Sequence, residues 1–508
     1  MTQAPSLLWR DTDTRATAPA DPVMIEDLNL DRVFAAITIP GSSESIGHLL
    51  RTPLQHSADV GFRQKVFEDL SAPSLRAQLE AFSQSMAEIR HRLAELPTVD
   101  HEILRSRLRV DISHYYCRTV LSLREALEGA RLDSPGLQSW RQYVNAYLTR
   151  AEFEELVSGC TQVLTDLAEV RYTMRIDEQR ITIEKAFDGP DYTAAVERLF
   201  EPIAGGVPAP ARRGGPADTR VHPVEERILD ELAQLFPLPF RRMVEHAGTG
   251  GHFVDPVIDR VDEELRFFLS YLRLVDELSS RGMDFCLPEI TDHFDGVQVQ
   301  GAYDIALAAK RSGTGEMPVA NDYHLIDGER VIVVTGPNQG GKSTFARMFG
   351  QVAYLATLGC PVPARRARIM LVDNISTHFE RREHAADAAG MLQSELIAIQ
   401  ETLELSTDRT LIILNESFSS TTTSDAQRIG EQILRKISER QSITLFVTFL
   451  DELSRMDGIV SMVAGVGDDP LLRTFRLERK PADGRAHAVA LAHQFDLSYE
   501  AITRKVPR

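Results

Sequence analysis

Val331-Ile-Val-Val-Thr-Gly336-Pro-Asn-Gln-Gly-Gly341-Lys342-Ser343-Thr344 is the stretch on which the reading of this chain turns. Four apolar residues, mostly β-branched, specify a strand. The run then breaks into GxxxxGKS and continues at helical spacing, which is the setting a phosphate-binding loop requires. Glycines at 336, 340 and 341 let the backbone turn tightly, so that successive N–H groups and a helix N-terminus face phosphate oxygens. Lys342 adds a cation for the β- and γ-phosphates, and Ser343 adds a hydroxyl for Mg²⁺. Gly336, Pro337, Asn338, Gln339, Gly340, Gly341, Lys342, Ser343 and Thr344 are therefore the candidate site for ATP.

Outward from this loop, short apolar runs alternate with helical stretches. Val331–Val334, Ile369–Val372, Leu411–Leu414, Ile443–Val447 and Ile459–Ala464 predict the strands of a doubly wound α/β sheet over residues 297–508. Upstream the period is helical. Apolar residues recur at i, i+3 and i+4 through roughly 24–50, 57–95, 101–130 and 136–170, and again at about 223–246 and Pro256 to Arg281. Around Tyr172, Met174 and Ile176, then Ile181 and Ile183, the period falls to two across a polar turn, predicting a β-hairpin. Ala204 to Thr219 is rich in Gly, Pro and Arg and reads as a mobile loop. Residues 1–21 read as a disordered tail. The expected division is thus 1–21 tail, 22–296 mostly helical, and 297–508 an α/β P-loop domain.

With 508 residues, 43% of them apolar, the chain is long enough for two or three cores. No segment approaches the ~18 to 20 apolar residues that cross a bilayer, and the opening residues lack a signal-peptide core, so a cytoplasmic protein without membrane contact is expected. Four scattered cysteines with no CxxC pair read as reduced thiols. The net charge is −18, and residues 1–300 hold 32 Lys and Arg against 48 Asp and Glu. That half has only two lysines, Lys65 and Lys185, and lacks the broad basic face of sequence-independent DNA binding. Its one locally basic stretch, 101–150, has eight arginines with Tyr115 and Tyr116. The favoured reading is a solvated helix face whose arginines pair with acids on neighbouring helices.

Thr335-Gly-Pro-Asn-Gln-Gly-Gly-Lys-Ser-Thr-Phe345 with Arg347 resembles the TGPNxxGKSTxxR loop of the MutS family of mismatch-repair ATPases. Val319-Ala-Asn321-Asp322 and Gly359-Cys-Pro-Val362-Pro363-Ala364 resemble segments flanking that loop. Asp27-Leu-Asn-Leu and Leu49 to Leu54 are similar to the start of the family's core. The resemblance implies a helical core and lever joined to an ABC-type ATPase domain, with ATP held between the ATPase domains of a homodimer and the arms acting on DNA in repair or recombination. The residues before Pro22 are too few for the family's mismatch-reading domain, which is not expected.

In the same resemblance, the strand Leu411–Leu414 ends in Asn415-Glu416 where relatives carry Asp-Glu. Glu416 then inherits the catalytic role of orienting or deprotonating water. Ser343, Asn415 and Glu416 form the metal shell, with an amide in place of one carboxylate. Phe449 stands where relatives place a histidine near the γ-phosphate. Gly390 stands in the segment that carries their Ser-Thr pair across the dimer. His378 lies in the polar run 374–383, read as a solvated loop. These departures imply slow hydrolysis. They keep open a second reading, a nucleotide-gated scaffold that grips a protein partner. A transporter subunit is disfavoured by the upstream helical arms and the form of the loop.

Overall fold

The computed structural model describes the chain apart from residues 1–3, 11–17, 39–43, 178–179, 187–222, 250, 312–314, 338, 381–387, 419–420, 467–472 and 483–508. The expected loop at 204–219 lies outside the described residues. The chain forms two units, one of 1–5, 72–132 and 137–262, the other of 6–71, 133–136 and 263–508.

The first unit is a helical body. Pro73–Glu95, Glu102–Gly129, Pro135–Leu148, Ala151–Ala168, Pro223–Leu235 and Pro237–Thr249 are α-helices. Proline opens several of them at the first turn, where its missing N–H costs nothing. His101 closes the start of the 28-residue helix by accepting from the Leu104 N–H. Val110, Val163, Leu232, Phe240 and Met243 form a core between the helices, and Trp140 meets the edge of Phe82 at 5.5 Å. The expected hairpin is present as β1 (Tyr172–Asp177) and β2 (Arg180–Lys185), antiparallel with Met174 opposite Ile183.

Several arginines of 101–150 are engaged within this unit, Arg150 with Asp255 at 3.7 Å among them. Arg107 pairs with Asp111 one turn along its own helix. Arg105 donates to the Val99 carbonyl. Arg109 donates to the Gly251 carbonyl and Arg150 lies over Tyr143 and Tyr147. Tyr116 is buried and Tyr115 donates to Ser85 Oγ.

The second unit contains two sheets. The larger has the order β12 (Arg473–Arg479), β11 (Ile459–Val466), β6 (Val331–Thr335), β10 (Ile443–Val447), β9 (Thr410–Asn415), β8 (Asn374–Phe379). All neighbours are parallel except the β11–β12 pair. β6, β9 and β10 are buried along their whole length. That is why they read as unbroken apolar runs rather than alternating ones: helices cover both faces of such a sheet. Phe418, Leu434, Ile437, Phe446 and Leu453 belong to the core on one side. The smaller sheet has the order β3 (Glu289–Thr291), β7 (Arg366–Met370), β4 (Val297–Ala302), β5 (Asn321–Leu325).

The run at 369–372 does not belong to the main sheet. Its strand, β7, lies in the small sheet between β3 and β4. The polar run expected as a solvated loop is instead β8, the edge strand of the main sheet, paired in parallel with β9 from Asn374 to Phe379. An edge strand tolerates polar residues because one side of it makes no ladder, so hydropathy alone assigned it to a loop. Residues 6–9, read as part of a tail, are ordered: Leu7 and Leu8 are buried, and Glu264 accepts from Ser6 Oγ and the Leu7 N–H. Buried Arg63 donates to the carbonyls of Leu8 and Leu358 and stacks on Trp9. The short apolar run Leu7-Leu8-Trp9 was outweighed in the composition by its Thr, Asp and Pro neighbours. Residues 6–71 accordingly belong to the unit of the large sheet rather than to the helical body.

His378 in β8 shares a hydrogen bond with Thr402 Oγ1 at 3.0 Å, and burial lowers its pKa to about 4. The unfolded chain takes up that proton near pH 6.5, so between about 6.5 and 4 the unfolded state binds more protons and stability falls with falling pH. His378→Asn, which keeps a hydrogen-bonding group without the titration, is expected to flatten that part of the urea-stability profile. An unchanged slope between pH 6 and 4.5 would contradict this.

Candidate functional site

The loop after β6 makes its turn at Gly336, whose φ of +118° is open to glycine; a Cβ there would stand 3.0 Å from the Ala464 nitrogen on β11. The turn closes at Gly341, φ +92°, the residue before helix Lys342–Thr357. Between them the Gly340 N–H donates to the Pro337 carbonyl. This geometry aims the first N–H groups of a sixteen-residue helix into open space at the carboxyl edge of the sheet.

Lys342 is 4% exposed. Its ammonium donates to the carbonyls of Gly336 at 2.9 Å and Pro337 at 3.2 Å. Burial lowers its pKa, and the negative charge of Glu416 opposes that shift. Strand order supplies that charge. β6 has β10 beside it and β9 next, with Val447 level with both Val334 and Asn415. The Glu416 N–H donates to the Val447 carbonyl at 2.9 Å, and Glu416 adopts a φ of +58°. A left-handed glutamate costs on the order of 1 kcal/mol or more, and such outliers cluster where a side chain must be aimed.

A cavity of about 270 Å³ opens here, lined among others by Gln339, Gly341, Lys342, Ser343, Thr344 and Glu416. Six of the residues picked from sequence thus meet in one place. Gly336, Pro337 and Gly340 shape the loop behind it, and Asn338 lies outside the described residues. Asn415 is buried at the end of β9, and among the described residues its Oδ1 has no hydrogen-bond partner. An orphaned acceptor next to Glu416 fits a position that accepts a hydrogen bond from a metal-bound water. Phe449 follows β10 and is half exposed. Gly390 lies in the first turn of helix Ala388–Leu405, where its carbonyl accepts from Ser394 Oγ. His378 is not among the cavity's lining residues. Arg347 donates to the Asp27 carbonyl and lies over Phe379, which makes it a tie between elements.

Three contributors escaped sequence reasoning. Phe475 on β12, half exposed with φ +55°, lines the cavity beside Gly341. Asn321 holds that strand by donating to the Phe475 carbonyl and accepting from the Leu477 N–H. The segment match drew attention to Asn321, but nothing local pointed to Phe475. Asp304 caps helix Ile305–Lys310, accepts from Gln351 Nε2 and lines the same cavity, and burial raises its pKa. Glu395, reached by the same effect of burial, accepts from the Phe418 N–H and so fixes the segment after Glu416.

A family model described as MutS domain V matches residues 332–467, from β6 to the end of β11. The proteins named DNA mismatch repair protein MutS include close matches. That of Rickettsia bellii is 33% identical over 178 residues, 35% of this chain and 20% of that protein. That of Rickettsia prowazekii is 32% identical over 193 residues, 38% of this chain and 21% of that one. That of Clostridium kluyveri is 28% identical over 253 residues, 47% and 27% respectively. The matched region thus spans about a fifth to a quarter of these relatives' lengths. The α/β unit with its glycine-turned loop, Lys342 and Glu416 is of the MutS domain V class. The chain is thus similar to the MutS family through residues 332–467 and their surroundings. No helix among the described residues is long and apolar enough to cross a membrane.

Lys342→Ala removes the ammonium that donates to the loop carbonyls of Gly336 and Pro337, and it relieves a desolvation cost. The expected outcome is a melting temperature within about 3 °C of the parent, because little packing is lost, together with loss of detectable nucleotide binding. A variant that retained the parent's nucleotide affinity would overturn the assignment of Lys342.

Proposed function

We propose that this chain binds and slowly hydrolyses ATP with Mg²⁺, and that it acts in the cytoplasm as a homodimer whose ATP state controls its grip on DNA in repair or recombination. The observation that carries the reading is the meeting of Lys342, Ser343 and Glu416 in one cavity at the carboxyl edge of a parallel sheet. In open α/β sheets that edge is where ligands bind.

Each residue has a derived task. The N–H groups of the loop and of helix Lys342–Thr357 surround phosphate oxygens, and Lys342 exchanges its carbonyl partners for the β- and γ-phosphates. When bound, Mg²⁺ would neutralise phosphate charge. Ser343 would offer it a hydroxyl, and Asn415 and Glu416 would orient waters beside it. Glu416, aimed by its left-handed backbone, positions or deprotonates the attacking water. Asn415 accepts a hydrogen bond as an aspartate does, but with one negative charge fewer beside a divalent ion. Mg²⁺ retention, and with it turnover, is weakened.

Asn415→Asp is therefore expected to lower the Mg²⁺ concentration for half-maximal phosphate release at least about fivefold, equivalent to roughly 1 kcal/mol. An unaltered midpoint would remove Asn415 from the metal shell.

A second reading, a nucleotide-gated scaffold for a protein partner, draws on the acidic first 300 residues and on the arginines of 101–150 already engaged within their own unit. Retention of duplex and branched DNA separates the two, measured across about 50 to 200 mM salt with and without ATP. ATP-dependent retention that falls steeply with salt supports the DNA reading. No retention at the lowest salt contradicts it and favours the scaffold.

A further inference from the structure

Cysteine spacing pointed to isolated thiols, yet two of the four meet inside the helical unit. Cys117 on helix Glu102–Gly129 and Cys160 on helix Ala151–Ala168 are both buried, and the two thiols are near enough to perturb each other. Ser113, one turn before Cys117 and on the same helix face, places its Oγ 3.1 Å from Cys160 Sγ. On the other side His246, from helix Pro237–Thr249, brings Nε2 to 3.4 Å from the same sulfur. The approach of that ring depends on Gly159, where a Cβ would stand 2.7 Å from His246 Nδ1. Three helices thus converge on one sulfur, and a glycine makes room for the imidazole. None of these residues has a part in the nucleotide site.

We infer that Cys160 and Cys117 form a peroxide-sensitive dithiol, with Cys160 the attacking thiol, Cys117 the resolving thiol, and His246 and Ser113 the groups that hold Cys160 ready. The neighbouring Cys117 lowers the pKa of Cys160, with Ser113 and His246 adding to the shift, while Cys160 raises that of Cys117. A thiolate rather than a thiol is the nucleophile. Cys160 gives its proton to His246 Nε2 as its sulfur attacks one oxygen of a hydroperoxide, the O–O bond breaks, and the leaving hydroxide takes that proton from His246 and departs as water. The product is a sulfenic acid on Cys160. Cys117 sulfur then attacks Cys160 sulfur, the S–O bond breaks, and the departing hydroxide leaves as water with the Cys117 proton. Two thiols and one peroxide give one disulfide and two waters, and a small thiol reverses the step. His246, itself half-buried, stands directly beside Cys160. The bond would tie helix Glu102–Gly129 to helix Ala151–Ala168.

Simple exposure predicts a different outcome. Cys286 is the one cysteine that is not fully buried, and it would react first if access alone decided; its pKa is raised by burial to about 11. The test uses the full chain, treated with equimolar hydrogen peroxide, blocked with N-ethylmaleimide and digested without reductant for mass spectrometry. The expected product is a Cys117–Cys160 cross-linked peptide, two hydrogens lighter than the thiol pair, with Cys286 and Cys360 alkylated, and dithiothreitol restores the thiols. In Cys117→Ser, dimedone should label Cys160 alone. In His246→Asn the rate of cross-linking should fall about tenfold while the melting temperature holds. Oxidation of Cys286 ahead of Cys160 in the parent protein, or full peroxide consumption without the cross-link, would overturn the inference.

Discussion

The site rests on one constraint: a lysine ammonium must be kept out of bulk water at the start of a helix without losing its hydrogen bonds. Lys342 meets it by donating to Gly336 and Pro337, and this needs a loop that turns back on itself within six residues. Only glycine tolerates the backbone at 336 beside Ala464 and the left-handed turn at 341. The parallel sheet does the remainder. With β6 flanked by β10 and β11 and with β9 one strand further, the strand ends bring Glu416 to the same edge. The acid that balances Lys342 arrives by topology rather than by proximity in the chain.

That edge is also where strain is concentrated. Glu416, Phe418, Gln339 and Phe475 all have positive φ, and Glu395 fixes Phe418 through its N–H. The cost of these conformations is offset by the fully buried strands that precede them, whose side chains lie in a close-packed core. A rigid sheet with an unfavourable rim is a means of holding functional side chains in place. The orphaned Oδ1 of Asn415 belongs to the same pattern, since a buried acceptor without a partner is tolerated where it has a role.

Much of this was legible in the sequence because it is local. The loop, the strand that feeds it and the helix that leaves it are consecutive, and continuous apolar runs mark the buried parallel strands β9 and β10. The long helices of the first unit follow from periodicity and from proline at their starts. What escaped depends on tertiary neighbours. β8 is polar because it is an edge, and the apolar run that begins at Ile369 closes β7, which belongs to the small sheet. Leu7 and Leu8 became core residues through Arg63 and Glu264, which are distant in sequence. Phe475 joins the cavity because β12 returns antiparallel to β11. Cys117 and Cys160 meet because two helices pack, a pairing that no spacing rule detects.

The central claim is that this chain recognises phosphate through the turn between β6 and helix Lys342–Thr357. Isothermal titration of the full chain with ATP, ADP and adenosine, each with and without Mg²⁺, tests it most directly. ATP and ADP are expected to bind at least about tenfold more tightly than adenosine, a difference of roughly 1.4 kcal/mol or more, and Mg²⁺ is expected to strengthen ATP binding. Adenosine binding as tightly as ATP, or no heat from ATP at millimolar concentration, would contradict it.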